Sequence, residues 1–134
     1  MSEIALSLEN IHVAYGAGQH RVLNGFSLSL HKGEIACLLG ASGCGKTTVL
    51  RAIAGFERIS EGRIAIARQQ VAGERLHLPP EKRQTGMVFQ EYALFPHLTA
   101  EENIAFGLRR LPREQRSERV GALLKMVELG SHAR

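Results

Sequence analysis

Over the first thirty residues apolar and polar positions alternate in short stretches. IALSLENIHVAY, residues 4–15, combines that alternation with β-branched residues, and FSLSL, from Phe26 to Leu30, alternates strictly. Both predict strands, with GAGQ, residues 16–19, as the turn between them. After His31-Lys32-Gly33 the pattern becomes a near-continuous apolar run, EIACLLG at 34–40, which suits a strand buried on both faces of a parallel sheet. Beyond a glycine-rich stretch it changes again. In KTTVLRAIAGF, residues 46–56, Val49, Leu50, Ile53 and Ala54 fall at helical spacing, and Gly55 stands where a glycine closes a helix.

The second half reads in the same way. GRIAIARQQVAG, residues 62–73, predicts a strand or a hairpin, LPPEKR, 78–83, a rigid exposed turn, and MVFQ, 87–90, a short buried strand ending at Gln90. In TAEENIAFGLRR, 99–110, Thr99 and Glu102 have capping-box spacing, a helix-start signal. Pro112 occupies a first-turn position of a second helix, whose Val120, Leu123, Leu124 and Val127 share a face before Gly130. No internal repeat, low-complexity tract or linker interrupts the chain.

With 134 residues, 44% apolar and 22% charged, the sequence is of a size and balance for one folded domain. No apolar run approaches the roughly 20 residues of a membrane-spanning helix. The start, MSEIALSLEN, lacks the basic region and apolar stretch of a signal peptide, so a cytoplasmic location is expected. Seventeen Lys and Arg against thirteen acidic residues give +4, a balance that suits nucleic acid, an anionic membrane or a phosphate ligand equally. Cys37 and Cys44 have neither disulfide nor metal spacing; Cys37 is expected buried in its strand and both thiols reduced. The histidines at 12, 20, 31, 77, 97 and 132 show no metal spacing and read as surface or packing residues. The composition limits chemistry at one point: all thirteen acidic residues are Glu, where an average chain with roughly 5% Asp would hold about seven.

The glycine-rich stretch carries the chemistry. GASGCGKTTVL, Gly40 to Leu50, places Gly40, Gly45, Lys46 and Thr47 at the spacing of a phosphate-binding loop, between the expected buried strand and the helix. Peptide N–H groups around Gly43 to Thr47 converge on a phosphate only where little side chain intrudes, and the helix N-terminus adds positive dipole. Lys46 would sit on the β- and γ-phosphates, the Thr47 hydroxyl would take a magnesium position, and Thr48 would add a bond to the α-phosphate. The motif alone leaves kinases, GTPases, helicases and transport ATPases open. Cys44 reads either as a small filler or as a thiol activated beside Lys46 and the helix N-terminus. Arg109, Arg110, Arg113, Arg116 and Arg119 interleave with Glu114 and Glu118 and read as a solvated helix face rather than a nucleic-acid site.

GASGCGKTTVLRAIAGFE followed by MVFQEYALFPHLTAEENIAFGL resembles the ATP-binding subunits of ATP-binding-cassette importers. The likeness runs along essentially the whole sequence and uses three separated motifs. It implies ATP and Mg2+ as cofactors. Tyr15 would stack on adenine, Val22, Ser42, Gly43, Cys44, Gly45, Lys46, Thr47, Thr48 and Gln90 would surround the nucleotide, Thr47 and Gln90 would serve the metal, and Lys46 and Gln90 would act in catalysis. The implied fold is α/β: N-terminal antiparallel strands and the first part of a RecA-like P-loop core over 1–98, then the start of a helical subdomain over 99–134. The segment Tyr92 to His97, too apolar for an ordinary loop, would meet a transmembrane permease subunit. A second ATP-binding subunit would complete a homodimer on the cytoplasmic face of the inner membrane, and an external solute-binding protein would act indirectly.

GASGCGKTT, AGFE and the spacing from Ile64 to Leu78-Pro79 look most like the ferric-iron branch; polyamine, sugar or sulfate importers are the alternatives, and a cassette ATPase acting on nucleic acid is the rival of another class. The family's LSGGQ signature, the Walker B Asp-Glu pair, the D-loop and the switch histidine do not occur in these residues. The sequence as it stands is therefore expected to be the front half of an ATPase and to hydrolyse no ATP on its own.

Overall fold

Leu6 and Leu8 are out of phase with Ile11 and Val13 on a strand of period two, yet all four face one core. A bulge between Leu8 and Ile11 resolves the conflict: Asn10 adopts φ 47° and its N–H donates to Ser27 Oγ at 2.9 Å. The computed structural model in which this is seen describes residues 3–16 and 20–130. Residues 17–19 of the expected GAGQ turn, and His132, lie outside the described residues. The chain divides into two compact units, Met1–Met87 and Val88–Arg134.

In the first unit, β1 (Ile4–Tyr15), β2 (His20–His31), β3 (Glu61–Ile66), β4 (Gln69–Gly73) and β5 (Leu76–His77) form one sheet in the order β2-β1-β3-β4-β5, every pairing antiparallel. Leu8 pairs with Leu28 on one side and Ile64 on the other, and this row of aliphatic residues runs through the core. β3 and β4 form the expected hairpin. Ala67 and Arg68 turn it with φ 46° and 67°, the two positive values of the tight hairpin turn that Asn-Gly usually supplies.

The helix α1 (Lys46–Ala54) lays Val49 and Ala52 on the sheet beside Leu23. Gly55 ends it at φ 95°, donating to the Arg51 carbonyl at 3.0 Å. A Cβ at Gly55 would lie 2.7 Å from Arg83 Nε and 3.0 Å from the Pro80 nitrogen, so this close approach requires glycine. The LPPEKR stretch does turn, through a short 3-10 segment Pro80–Lys82, but it is not the exposed turn expected. Arg83 is 3% exposed. It donates to the carbonyls of Leu78 (2.7 Å), Ala52 (2.6 Å) and Ile53 (3.0 Å), binding the last carbonyls of α1 as a cation at a helix C-terminus does.

Two expected strands are not formed. Residues 34–40 have no regular structure; Ile35 is 98% and Leu39 88% exposed, Cys37 is exposed, and only Leu38 packs against the core. A strand buried on both faces needs a hydrogen-bonding neighbour at its edges and a layer on each face, and no described segment pairs with this one. For the same reason MVFQ is irregular and Val88 is 86% exposed.

In the second unit α2 (Ala100–Phe106) begins with the full capping box: Thr99 Oγ1 accepts from the Glu102 N–H at 3.2 Å, and the Thr99 N–H donates to Glu102 Oε2 at 2.8 Å. α3 (Arg113–Met126) starts one residue after Pro112, which is its N-cap. Val120 and Leu124 are buried, Leu123 is half-buried, and Val127, beyond the last turn, is 53% exposed, so the apolar face is narrower than expected.

Candidate functional site

Residues 40–45 turn directly into α1, and Gly43 and Gly45 both adopt left-handed backbone, φ 79° and 99°. Gly45 is buried against β2. A Cβ there would meet Leu23 Cδ2 at 2.8 Å and the Val22 carbonyl oxygen at 3.1 Å, so the glycine lets the loop lie on the sheet. Val22 thus backs the loop from β2. The Lys46 ammonium folds over the loop and donates to the carbonyls of Gly40 (2.7 Å) and Ala41 (2.8 Å), with Cys44 Sγ at 3.7 Å. Both carbonyls are uncharged, and among the described residues no carboxylate pairs with this ammonium.

The start of α1 fits an anion. No side chain caps it, and its first turn holds no acidic residue, which leaves dipole and N–H groups for an external negative group. Ser42, Gly43, Cys44 and Thr47 are exposed on this loop, and Thr48 is half-buried. A cavity of about 100 Å³ behind the loop, lined by Leu23, Phe26, Leu38, Cys44, Gly45 and Val49 among others, is below the roughly 300 Å³ at which ligand pockets begin. For a magnesium ion the unit offers the Thr47 hydroxyl but no aspartate anywhere. Among the described residues no group of three or more His, Cys, Asp or Glu side chains could hold a metal.

Tyr15, the last residue of β1, is 42% exposed and donates its hydroxyl to Glu57 Oε2 at 2.6 Å. That hydrogen bond first, and burial second, hold the phenol above its usual range; Thr48 and Arg51 of α1 act on it in the opposite sense. Tyr15 is therefore brought beside the helix that follows the loop. Sequence reasoning missed Glu57. Its only signal was a carboxylate two residues past the glycine that ends α1.

In the second unit Gln90 is exposed in a turn that runs to Ala93, with Tyr92 and Ala93 at φ 59° and 50°. Tyr92 is 75% and Leu94 67% exposed, whereas Phe95 packs against Phe106 with ring centres 4.4 Å apart and planes tilted by 41°, and meets His97 edge-on at 6.0 Å. Asn103 ties this segment to α2 through Phe95, Leu98 and Thr99.

Residues 23–134 match the ABC transporter family. The chain belongs to that family. It is 44% identical, over 97% of its length, to a Thermobifida fusca protein named spermidine/putrescine import ATP-binding protein PotA, and 45% identical, over 96%, to the Escherichia coli putrescine transport ATP-binding protein PotG. It covers 34% and 33% of those two proteins, about a third of the length of the curated relatives. A solved structure described as a dimeric, post-hydrolysis state of the ATP-binding cassette MJ0796 with ADP and Pi superposes with a TM-score of 0.79 at 30% identity, over 96% of this chain and 60% of that one. The fold is thus that of an ABC cassette, of which the described residues contribute the antiparallel sheet, the phosphate-loop helix and two further helices. These relatives are named for polyamines, and the ferric-iron reading of the loop's wording finds no support among them.

Proposed function

We propose that this ABC-family chain is the ATP-binding part of an importer that takes up a polyamine such as spermidine or putrescine. The observation that carries the transport reading is the pairing of the 40–48 loop, whose Lys46 ammonium meets no carboxylate among the described residues and whose helix start has no side-chain cap, with 44–45% identity to proteins named for polyamine import.

In this reading Lys46 and the α1 N–H groups hold the phosphates of ATP. Thr47 and Gln90 serve Mg2+, which offsets phosphate charge when bound, Gln90 acts in catalysis, and Tyr15 with Val22 flanks the nucleoside. Ser42, Gly43, Cys44, Gly45 and Thr48 complete the cradle. Residues 1–98 form the sheet and the first part of the nucleotide-binding core, and 99–134 begin the helical subdomain. Tyr92 and Leu94, exposed apolar side chains on a strained turn, face a permease subunit at the inner side of the membrane, and a second ATP-binding subunit completes the assembly. No described helix is long and apolar enough to cross a membrane, which fits a subunit held there by its partners.

Uptake of labelled putrescine, spermidine and ferric iron by cells deleted for this gene, complemented with wild type or Lys46→Ala, tests the proposal. Polyamine uptake restored by wild type alone is the expected result. Normal polyamine uptake in the deleted cells, with iron uptake lost, would overturn it.

A further inference from the structure

We propose that Glu57 is a positioning residue for the nucleotide base, fixing the plane of the Tyr15 ring through their side-chain hydrogen bond. The proposal rests on the reading that Tyr15 flanks the nucleoside, and adds a residue to which that reading gives no role. Tyr15 is the last residue of β1, and among the described residues its backbone pairs on one side only, with His20 of β2. A ring that is 42% exposed at such a position has two rotors to restrict before it forms a stacking platform.

Glu57 supplies the restriction from 42 residues away in sequence: its Oε2 accepts the phenol proton at 2.6 Å, the length of a charge-assisted O–H···O⁻ bond. The carboxylate is itself placed by the end of α1. The N–H groups of Gly55, Phe56 and Glu57 all converge on the Arg51 carbonyl, at 3.0, 2.9 and 3.3 Å, so the helix that begins at the phosphate loop ends by setting the acceptor for Tyr15. Phosphate cradle and ring are thereby held by opposite ends of one nine-residue helix. Because the hydroxyl proton is directed to Glu57, Tyr15 has no donor left for the ligand and offers it the ring face; stacking of this kind tolerates either purine.

Binding of ATP, GTP and tripolyphosphate, the last lacking a base, is measured by calorimetry for wild type and for Glu57→Ala, Glu57→Gln, Tyr15→Phe, Tyr15→Ala and the Tyr15→Phe/Glu57→Ala pair. Glu57→Ala and Tyr15→Phe are each expected to weaken ATP and GTP about fivefold, with no further loss in the pair and no change for tripolyphosphate. Glu57→Gln, which keeps an acceptor oxygen, restores part of the loss. Unchanged ATP affinity in Glu57→Ala and Tyr15→Phe, with affinity lost in Tyr15→Ala, would overturn the role of Glu57 alone. An equal loss for tripolyphosphate would reduce Glu57 to a structural part. Unchanged affinity in Tyr15→Ala would overturn the stacking reading beneath it.

Discussion

Asn103 pairs with both polar groups of the Phe95 backbone: the Phe95 N–H donates to Asn103 Oδ1 at 2.9 Å, and Asn103 Nδ2 donates to the Phe95 carbonyl at 3.2 Å. The same amide reaches the carbonyls of Leu98 and Thr99 at 3.1 and 3.0 Å. One side chain on α2 thus shapes the segment that presents Tyr92 and Leu94, including two non-glycine residues at positive φ.

Asn103→Ala is expected to release this segment while α2 stays capped by Thr99 and Glu102. Hydrogen exchange at the Phe95 amide should accelerate about five- to thirtyfold, the loss of roughly 1–2 kcal/mol of hydrogen bonding, with little change at Glu102. Unchanged protection at Phe95 would contradict the arrangement.

His77 gives a pH dependence. Burial first, then the charges of Arg83 and Arg58, hold its pKa below the ordinary 6.5, and in its neutral form its Nδ1 can accept from Arg83 at 3.3 Å. The unfolded chain then binds a proton that the folded chain refuses, so this stability is complete above pH 6.5 and falls as pH drops from 6.5 through the lowered folded value. Glu9 and Glu34, both held below 4.5, act only at lower pH. The urea midpoint should fall between pH 7.5 and 5.5 in wild type, and fall less in His77→Asn, which keeps an acceptor but does not titrate. Equal falls would sink the assignment.

Gly45 and Gly43 separate packing from backbone strain. Gly45→Ala meets Leu23 and the Val22 carbonyl as well as an unfavourable φ, whereas nothing lies within 4 Å of a Cβ at Gly43. We expect Gly45→Ala to cost about 2–4 kcal/mol and Gly43→Ala about 1 kcal/mol by urea denaturation. Equal costs would show that Gly45 is not packed against β2 as described.

These positions show which parts of the fold a sequence carries. Local signals were legible: Thr99 and Glu102 cap α2, Gly55 ends α1, and alternation marks β1 and β2, because each depends on neighbours within a few residues. The run from Glu34 to Gly40 was not, since whether an apolar run becomes a buried strand depends on distant partners that periodicity does not name. The Asn10 bulge, the burial of Arg83 beneath α1 and the bond from Glu57 to Tyr15 were invisible for the same reason. Of the candidate site, the loop and Lys46 could be read directly, whereas the loop's backing by Val22 and Leu23 could not.

The two cysteines report on the loop. Both are exposed, contrary to the burial expected for Cys37, so maleimide should label both in the free protein. ATP should protect Cys44, whose Sγ lies 3.7 Å from the Lys46 ammonium, and leave Cys37 reactive. Peptide mass spectrometry reads the result, and equal labelling of Cys44 with and without ATP would contradict a nucleotide at this loop.

The central claim is that the loop from Gly40 to Thr48 binds a nucleoside triphosphate through Lys46. In α1 only Arg51 joins Lys46 as a cation, and it stands in the last turn rather than at the loop. Equilibrium titration with a fluorescent ATP analogue, for wild type and Lys46→Ala, tests this most directly. Saturable binding by the wild type, weakened at least about a hundredfold in the variant as expected for a charge-assisted contact to phosphate, is the predicted result; the same affinity in both proteins would contradict it.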